Sequence, residues 1–387
     1  MTASSPKVML VAGEPSGDRL GASLMAALKR RMRGVTFVGV GGPAMAAQGL
    51  RSSVPIDDLA VMGLVEVIPR IPRLMRHIRD TAARVHQERP DVLVTIDAPG
   101  FNFRLARRLI DSHTPRVHYV APSVWAWRPG RAKKIAPLFD HLLALLPFEP
   151  PYFESVGLAT TFVGHPAVEN AQTGDAASFR KRHSIALDTP ILVVLPGSRR
   201  SETDRLLPVF GETVRRLVAA HPSLRIVVPT VEHVRDAVDQ AVGDWPGEPV
   251  VVVGENARRD AFAAAEIALA ASGTVSVELA LAGVPAVIAY DVNRLTGAIA
   301  KRLVKTEHVS LVNILLERRA IPEYILGDCR PDILTSAVAT LLTDSNARDA
   351  QRQAYIDALH MLRPGEKLPS EAAAEVVINL LKKNEVV

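Results

Sequence analysis

The sequence predicts an α/β protein: two doubly wound parallel-sheet domains facing a cleft, followed by a helical C-terminal tail. Three observations carry that expectation. Short β-rich runs alternate with amphipathic stretches almost from end to end, the pattern of parallel sheets covered by helices. The texture changes between His165 and Asp175, and the alternation then starts again. A chain of 387 residues is also long for one core.

The first set of strands reads KVMLVAG (7–13), VTFVGV (35–40), DVLVTI (91–96), RVHYVA (116–121), HLLALL (141–146) and TTFVG (160–164). The second reads PILVVL (190–195), LRIVVP (224–229), PVVVV (249–253), EIALAA (266–271) and VPAVIAY (284–290). Helical segments between them include 18–32, 102–112, 202–220 and 274–282, and 331–387 reads as helices broken at Arg363-Pro364-Gly365. The expected domains are 1–167, 168–345 and a tail, 346–387, that packs back on the first.

Composition narrows the function. Hydrophobic residues make up 48% and charged residues 22%, ordinary for a soluble globular chain. A single cysteine, Cys329, excludes a disulfide framework and a thiolate metal cluster. The start lacks a signal-peptide pattern, and no apolar run approaches the roughly 20 residues of a membrane-spanning helix. The expectation is a soluble protein of a reducing cytoplasm. The net charge of +5 is uneven: residues 1–164 hold 21 basic against 13 acidic side chains, and the remainder 25 against 28. The first half should therefore meet something anionic. With aromatics at 5% and no nucleic-acid module visible, a lipid surface or a phosphorylated substrate fits as well as nucleic acid.

Ligands of open parallel sheets bind beyond the carboxyl ends of strands, so the strand tips are the places to look. The run Gly39-Val40-Gly41-Gly42-Pro43-Ala44 imitates a dinucleotide fingerprint, with Asp57 and Asp58 at a suitable distance. It follows the second strand, however, and Pro43 most simply opens a helix, so a structural turn is the better reading. After the first strand, Glu14, Ser16 and Gly17 lie in a small-residue turn that lets a ligand approach the backbone. A turn with Asp18 as helix cap explains the same residues, and spacing alone does not choose. In VLVTIDAPGFNFRL, Asp97 stands on a strand tip, where it either starts the next helix or faces a cleft and moves a proton.

In the second half, Gly197, Ser198 and Arg199 suit a phosphate-approaching turn, with a guanidinium for phosphate oxygens. Ser201 and Asp204 read as a capping-box-like start of the next helix, which leaves Arg199 unexplained. Ser272-Gly273-Thr274 ends another strand before a helix, and Glu278 is the one charge between Val275 and Val284. It should be paired or hydrogen-bonded, and a ribose diol is a good partner. Asn313 sits among aliphatics, where capping a helix is its commoner use. There is no Asp-x-Asp and no zincin spacing, so neither a metal nor a cofactor is expected. Finally, 61–79 carries aliphatics at helical spacing with arginines on other faces. The default is a core-facing amphipathic helix. The alternative is a loop-and-helix membrane handle using Leu64, Ile68, Ile71, Leu74 and Met75.

Taken in order, VAGEPSGD, FVGVGGPAM, LAVMGLVEV, IDAPGFN, HYVAPSVWAWR, LPFE, FVGHP, LPGSR, ASGT and KRLVKTEHVSLVN closely resemble the lipid-A-disaccharide synthase family over roughly residues 7–320. The chain departs from the family pattern at Gly100 and Val312. The resemblance implies a GT-B glycosyltransferase with two Rossmann-like domains, the first facing acceptor and membrane, the second binding UDP-sugar. It implies transfer of 2,3-diacylglucosamine from its UDP derivative to 2,3-diacylglucosamine 1-phosphate (lipid X), giving the β(1→6) disaccharide 1-phosphate and UDP. Asp97 would be the base, and Gly197, Ser198, Arg199, Ser272, Gly273, Thr274, Glu278 and Asn313 would hold UDP-sugar. The implied place is the cytoplasmic face of the inner membrane, attached peripherally to its anionic surface, with a homodimer admitted and no nucleic acid. Rival readings are an undecaprenyl-linked GlcNAc transferase, a UDP-GlcNAc 2-epimerase or a non-catalytic lipid-binding protein.

Overall fold

The computed structural model describes residues 5–59, 71–127, 130–169, 172–291 and 307–384. Its contacts group into two compact units, Met1–Glu169 with Leu362–Val387, and Asn170–Met361. The first unit holds β1 (Lys7–Ala12), β2 (Thr36–Val40), β3 (Arg51–Ser52), β4 (Val92–Ile96), β5 (Arg116–Tyr119), β6 (His141–Ala144) and β7 (Thr160–Phe162). The second holds β8 (Ile191–Leu195), β9 (Arg225–Thr230), β10 (Val250–Val253), β11 (Ile267–Ala271), β12 (Ala286–Tyr290) and β13 (Glu323–Ile325).

Every described strand pairing is parallel. The strand orders are β3-β2-β1-β4-β5-β6-β7 and β10-β9-β8-β11-β12-β13. The chain thus builds outward from β1, or β8, towards one edge, then returns to build towards the other. Central strands are apolar throughout because both faces are covered. Val8, Leu10 and Ala12 pack beneath Leu24 and Leu28 of the helix Pro15–Arg31 and Val377 of Pro369–Asn384. Met9 and Val11 pack on the opposite face with Ile78, Val85, Phe101 and Leu105. In the second unit Leu192 and Val194 meet Leu206, Phe210 and Val214 of the helix Arg200–Ala220 and Leu334 and Val338 of Pro331–Thr343.

The last three helices divide between the units. Pro331–Thr343 and Ser345–Met361 lie in the second, and Pro369–Asn384 lies in the first. There, Glu169 accepts hydrogen bonds from the Ser370 backbone N–H (2.8 Å) and hydroxyl, which satisfies a free donor of the helix start. The helix Ile71–Glu88 turns Ile78, Ala82 and Val85 to the core. Leu74 and Met75 are half-buried against the same cluster, whereas Ile71 is 44% exposed. Leu64 and Ile68 lie outside the described residues. Among the described residues no helix is long and apolar enough to cross a membrane.

Several helices start earlier than expected. The first begins at Pro15, not Asp18, and the one after β4 begins at Pro99, not Asn102. Proline at the first helical position has no N–H to leave unpaired and already holds the helical φ. Asp18 is therefore not the cap of its own helix. It is buried one turn in and accepts from the N–H groups of Gly42 (2.7 Å), Ala44 (2.8 Å) and Met45 (3.0 Å). That carboxylate accounts for the dinucleotide-like glycines. A Cβ on Gly42 would lie 2.7 Å from the Asp18 carboxylate, and one on Gly39 (φ +137°) 1.9 Å from the Leu10 carbonyl oxygen.

Asp18→Ala should cost about 2–4 kcal/mol, since it strands three donors previously bound to a charged acceptor. Urea unfolding checks this. An unfolding free energy equal to that of wild type would mean that the three N–H groups find other partners.

Candidate active site

Where the strand order reverses, the loops leaving two adjacent strands part in opposite directions and open a crevice. In the first unit this falls between β1 and β4, whose tips carry Glu14 and Asp97. In the second it falls between β8 and β11, whose tips carry Gly197–Arg199 and Ser272–Thr274.

At the first tip, Asp97 and Ala98 both have left-handed backbones, φ +48° and φ +42°. For side-chain-bearing residues this costs of order 1–3 kcal/mol each. The bend turns Asp97 out of the strand, and Ala98, not Asp97, holds the cap position of the helix Pro99–Arg108, without a side-chain cap bond. Asp97 thus does not serve the following helix. Its N–H donates to the Tyr119 carbonyl (2.9 Å). Buried Asn102 donates its amide to the carbonyls of Ile96 (3.1 Å) and Asp97 (2.8 Å). Gly13 makes room: a Cβ there would lie 2.7 Å from Ala98 Cβ.

Burial raises the Asp97 carboxyl above its ordinary 3.8, against the lowering effect of the Ala98 N–H. Glu14 is raised from 4.5 by burial and then by the charge of Asp97. The two acids therefore share one environment, in which the charge of Asp97 discourages the ionisation of Glu14. Ser16 is exposed on the first helical turn, and buried Gly17 lets the helix approach Ala12 and Ile96. Two strands further along the sheet, past the end of β6, Glu149 accepts from the N–H groups of Leu145 (3.1 Å) and Leu146 (3.0 Å) and from the Trp125 indole (3.2 Å). Burial pushes its carboxyl up to about 7 despite those three donors. Trp125 stands edge-on to Phe148.

In the second unit, Gly197 (φ +109°) turns the chain out of β8, and a Cβ there would meet Glu202 at 2.7 Å. Glu202 accepts from the Ser198 N–H (3.1 Å) and pairs with the Arg199 guanidinium (2.7 Å). His233 bonds the Ser198 carbonyl at 2.7 Å. The helix opens at Arg200 with Arg199 as cap residue, so the capping-box reading of Ser201 and Asp204 is corrected. The acid in the first turn is Glu202, and it organises the turn rather than the helix end. Arg199 remains 66% exposed and keeps donors for an anion.

At the second tip, Gly273 and Thr274 are exposed, but the Ser272 hydroxyl donates to the Val309 carbonyl (3.0 Å). Glu278 is half-buried and pairs with Arg258 at 3.0 Å. Asn313 neither caps a helix nor faces outward. Ser310 is the cap, while the Asn313 side chain donates to the Ile321 carbonyl (2.8 Å) and accepts from Ala320 and Ile321 (both 2.8 Å). Glu323 holds the same segment through Ser310 N–H (2.5 Å) and Val309 N–H (3.3 Å). Ser272 and Asn313 thus shape a loop around the tip. Among the described residues no group of three or more His, Cys, Asp or Glu could hold a metal.

Sequence reasoning missed Asn102, Glu149, Glu202, His233 and Arg258. Glu202 and Asn102 stood inside recognised motifs, and their spacing could have shown them. Arg258 and His233 reach the site only through tertiary folding and left no local signal.

Comparison with known proteins places the chain. The family model described as lipid-A-disaccharide synthetase matches residues 8–377. A lipid-A-disaccharide synthase of Rhodospirillum centenum is 51% identical over 98% of this chain and 96% of its own. One from Paramagnetospirillum magneticum is 50% identical over 98% of each. Among solved structures, a putative UDP-N-acetylglucosamine 2-epimerase from Listeria monocytogenes superposes with TM-score 0.66 at 15% identity, covering 99% of this chain and 98% of that one. So distant a likeness shows the fold alone, the GT-B pair of doubly wound units.

The raised carboxyls make a stability prediction. A carboxyl whose folded pKa exceeds its unfolded value binds its proton more tightly when folded. Stability therefore falls as pH rises from the unfolded to the folded value, and the cost is complete above both. Asp97→Asn should be more stable than wild type at pH 7–8, with the advantage fading as pH falls towards 3.8. Thermal melts across pH check this. A variant less stable than wild type at pH 8 would show attractive partners holding the carboxylate.

Proposed function

The chain belongs to the lipid-A-disaccharide synthase family, and from that premise we propose that Asp97 is the general base of an inverting, lipid-directed glycosyl transfer. The enzyme joins UDP-2,3-diacylglucosamine to 2,3-diacylglucosamine 1-phosphate. The Asp97 carboxylate takes the proton of the acceptor 6-hydroxyl. The freed oxygen electron pair forms the new bond to the donor anomeric carbon, and the bond from that carbon to the diphosphate breaks, its electrons leaving with UDP. Direct displacement turns the α-linked donor into a β product. The carrying observation is the elbow at Asp97 and Ala98, which sets a partly buried carboxylate on a strand tip without giving it to the next helix.

UDP-sugar is assigned to the second unit. Gly197 and Ser198 offer backbone donors to the diphosphate, and Arg199 offers charge to the leaving group. Thr274 and Gly273 border the same crevice, and Glu278 takes the ribose diol. Ser272 and Asn313 act on the site through the loop they fasten. Glu14, with Ser16 and Gly17 on the same turn, faces the acceptor side.

Mutation should separate the roles of Asp97 and Glu278. Asp97→Asn should bind UDP normally and lose about 10²–10⁴-fold in kcat. Glu278→Ala should chiefly weaken UDP and donor binding, because the ribose is held equally in ground and transition states. Calorimetry with UDP and an assay of UDP release in the presence of lipid X read both. An Asp97→Asn enzyme within a few-fold of wild type would return Asp97 to a turn residue, and unchanged UDP affinity in Glu278→Ala would remove the ribose assignment.

Both substrates are lipids, and we propose that the enzyme collects them while resting on the anionic face of the inner membrane, a homodimer being compatible with this. The start of the helix Ile71–Glu88 supports that reading, with Ile71 exposed beside exposed Arg73, Arg76 and Arg79. Leu74 and Met75 serve the core as well. Ile71→Ser should therefore reduce sedimentation with anionic liposomes at an unchanged melting temperature. Leu74→Ser and Met75→Ser should lower the melting temperature first. Undiminished sedimentation of Ile71→Ser would move the contact elsewhere.

A further inference from the structure

We infer that Asn102 is a positioning residue for the transfer, holding the Asp97–Ala98 elbow in the shape that presents the carboxylate to the acceptor hydroxyl. The inference rests on the reading of Asp97 as the base.

Asn102 is fully buried in the first turn of the helix Pro99–Arg108, five residues beyond Asp97. Its Nδ2 donates backwards to two successive carbonyls, Ile96 at 3.1 Å and Asp97 at 2.8 Å. Both neighbours can only accept, so the donor end of the amide has to face them. Those carbonyls flank the point where the strand ends and the backbone enters the left-handed region. A short polar side chain locked to both fixes the peptide that carries Asp97.

The other end of the amide shows that Asn102 is not there for the core. Its Oδ1 is buried and finds no hydrogen-bond partner among the described residues. An apolar side chain of the same size would fill this space without burying an unmatched oxygen. An amide retained on those terms acts through what its nitrogen holds. Backbone bonds also hold the turn, the Asp97 N–H to the Tyr119 carbonyl and the Phe101 and Asn102 N–H groups to the Ala98 carbonyl, but among the described residues Asn102 is the side chain that grips the Ile96 and Asp97 carbonyls together. Left without the clamp, two adjacent left-handed residues relax towards ordinary backbone, and the carboxylate moves with them.

Asn102→Leu in the full-length protein, which keeps the number and branching of the side-chain heavy atoms and removes the donor, tests this. The expected result is a kcat lower by about 10–100-fold, the scale of a misplaced reacting group, with UDP affinity unchanged. Because Asn102 acts only through Asp97, the double variant Asn102→Leu/Asp97→Asn should turn over within about twofold of Asp97→Asn alone. The acid limb of the kcat/KM profile should also move in Asn102→Leu, because the carboxylate sits in a different environment. If Asp97→Asn is impaired about 100-fold or more while Asn102→Leu stays within about threefold of wild type, the positioning role is wrong and the base survives. If Asp97→Asn is itself near wild type, the base reading fails. Losses that multiply in the double variant would make Asn102 merely structural. Asn102→Ala serves in the same cycle should the leucine variant unfold.

Discussion

Each sheet reverses its strand order beside its first strand, and the rest of the molecule depends on that reversal. Two neighbouring parallel strands whose following loops part in opposite directions leave open backbone at their carboxyl ends. Both faces of the sheets are covered by helices, so polar side chains cannot enter along the strands without losing solvation. Chemistry is pushed to the tips. Glu14 with Asp97, and Arg199 with Thr274, stand where the connectivity leaves room for them.

At the first of these tips the protein accepts unfavourable local energetics. Asp97 is partly shielded from water, lies near a second acid and sits on a backbone that side-chain-bearing residues avoid. A carboxylate held this way is more basic than a solvated one, which suits it to accept a proton. The surroundings are built to keep it there: Gly13 leaves space for Ala98, Asn102 grips the carbonyls on either side of the bend, and Tyr119 receives the Asp97 N–H. The stability lost at the elbow is offset by the apolar strands beneath it, where Val92, Leu93, Val94 and Ile96 are fully enclosed.

The strands and their parallel arrangement were legible because fully buried strands are continuous apolar runs, and the two-sheet plan followed from their spacing. Helix starts were harder. Pro15 and Pro99 read as loop residues, although each begins a helix, and this misled the reading of Asp18. β3 and β13 are two and three residues long, too short for a pattern to emerge. At the site, residue types at strand tips pointed to Asp97, Arg199 and Glu278. What each polar atom is bonded to could not be read. Asn313 and Ser272 looked like ligand residues and are spent on a loop, and the partner of Glu278 comes from a helix twenty residues upstream. Periodicity marked helical spacing over 61–79, where the structure has the helix Ile71–Glu88, yet it could not say that Leu74 and Met75 face the core while Ile71 does not.

The charged groups of the two units are held in different ways. Arg199, 66% exposed, pairs at 2.7 Å with Glu202, which is 18% exposed, and solvent around the guanidinium screens the attraction. Glu202 also takes the Ser198 N–H, so one carboxylate sets the turn and aims the guanidinium without committing it. An anion arriving there meets a guanidinium that is still open to solvent, while Glu202 keeps its bond to the Ser198 N–H. Asp97 is the opposite case. Its position comes from backbone geometry, its carboxyl is shifted by burial, and its orientation depends on clamps that do not touch the carboxylate. A binding residue can be held by a partner that a ligand displaces. A base whose proton affinity must stay high is better held through its main chain, because a cationic partner would lower that affinity.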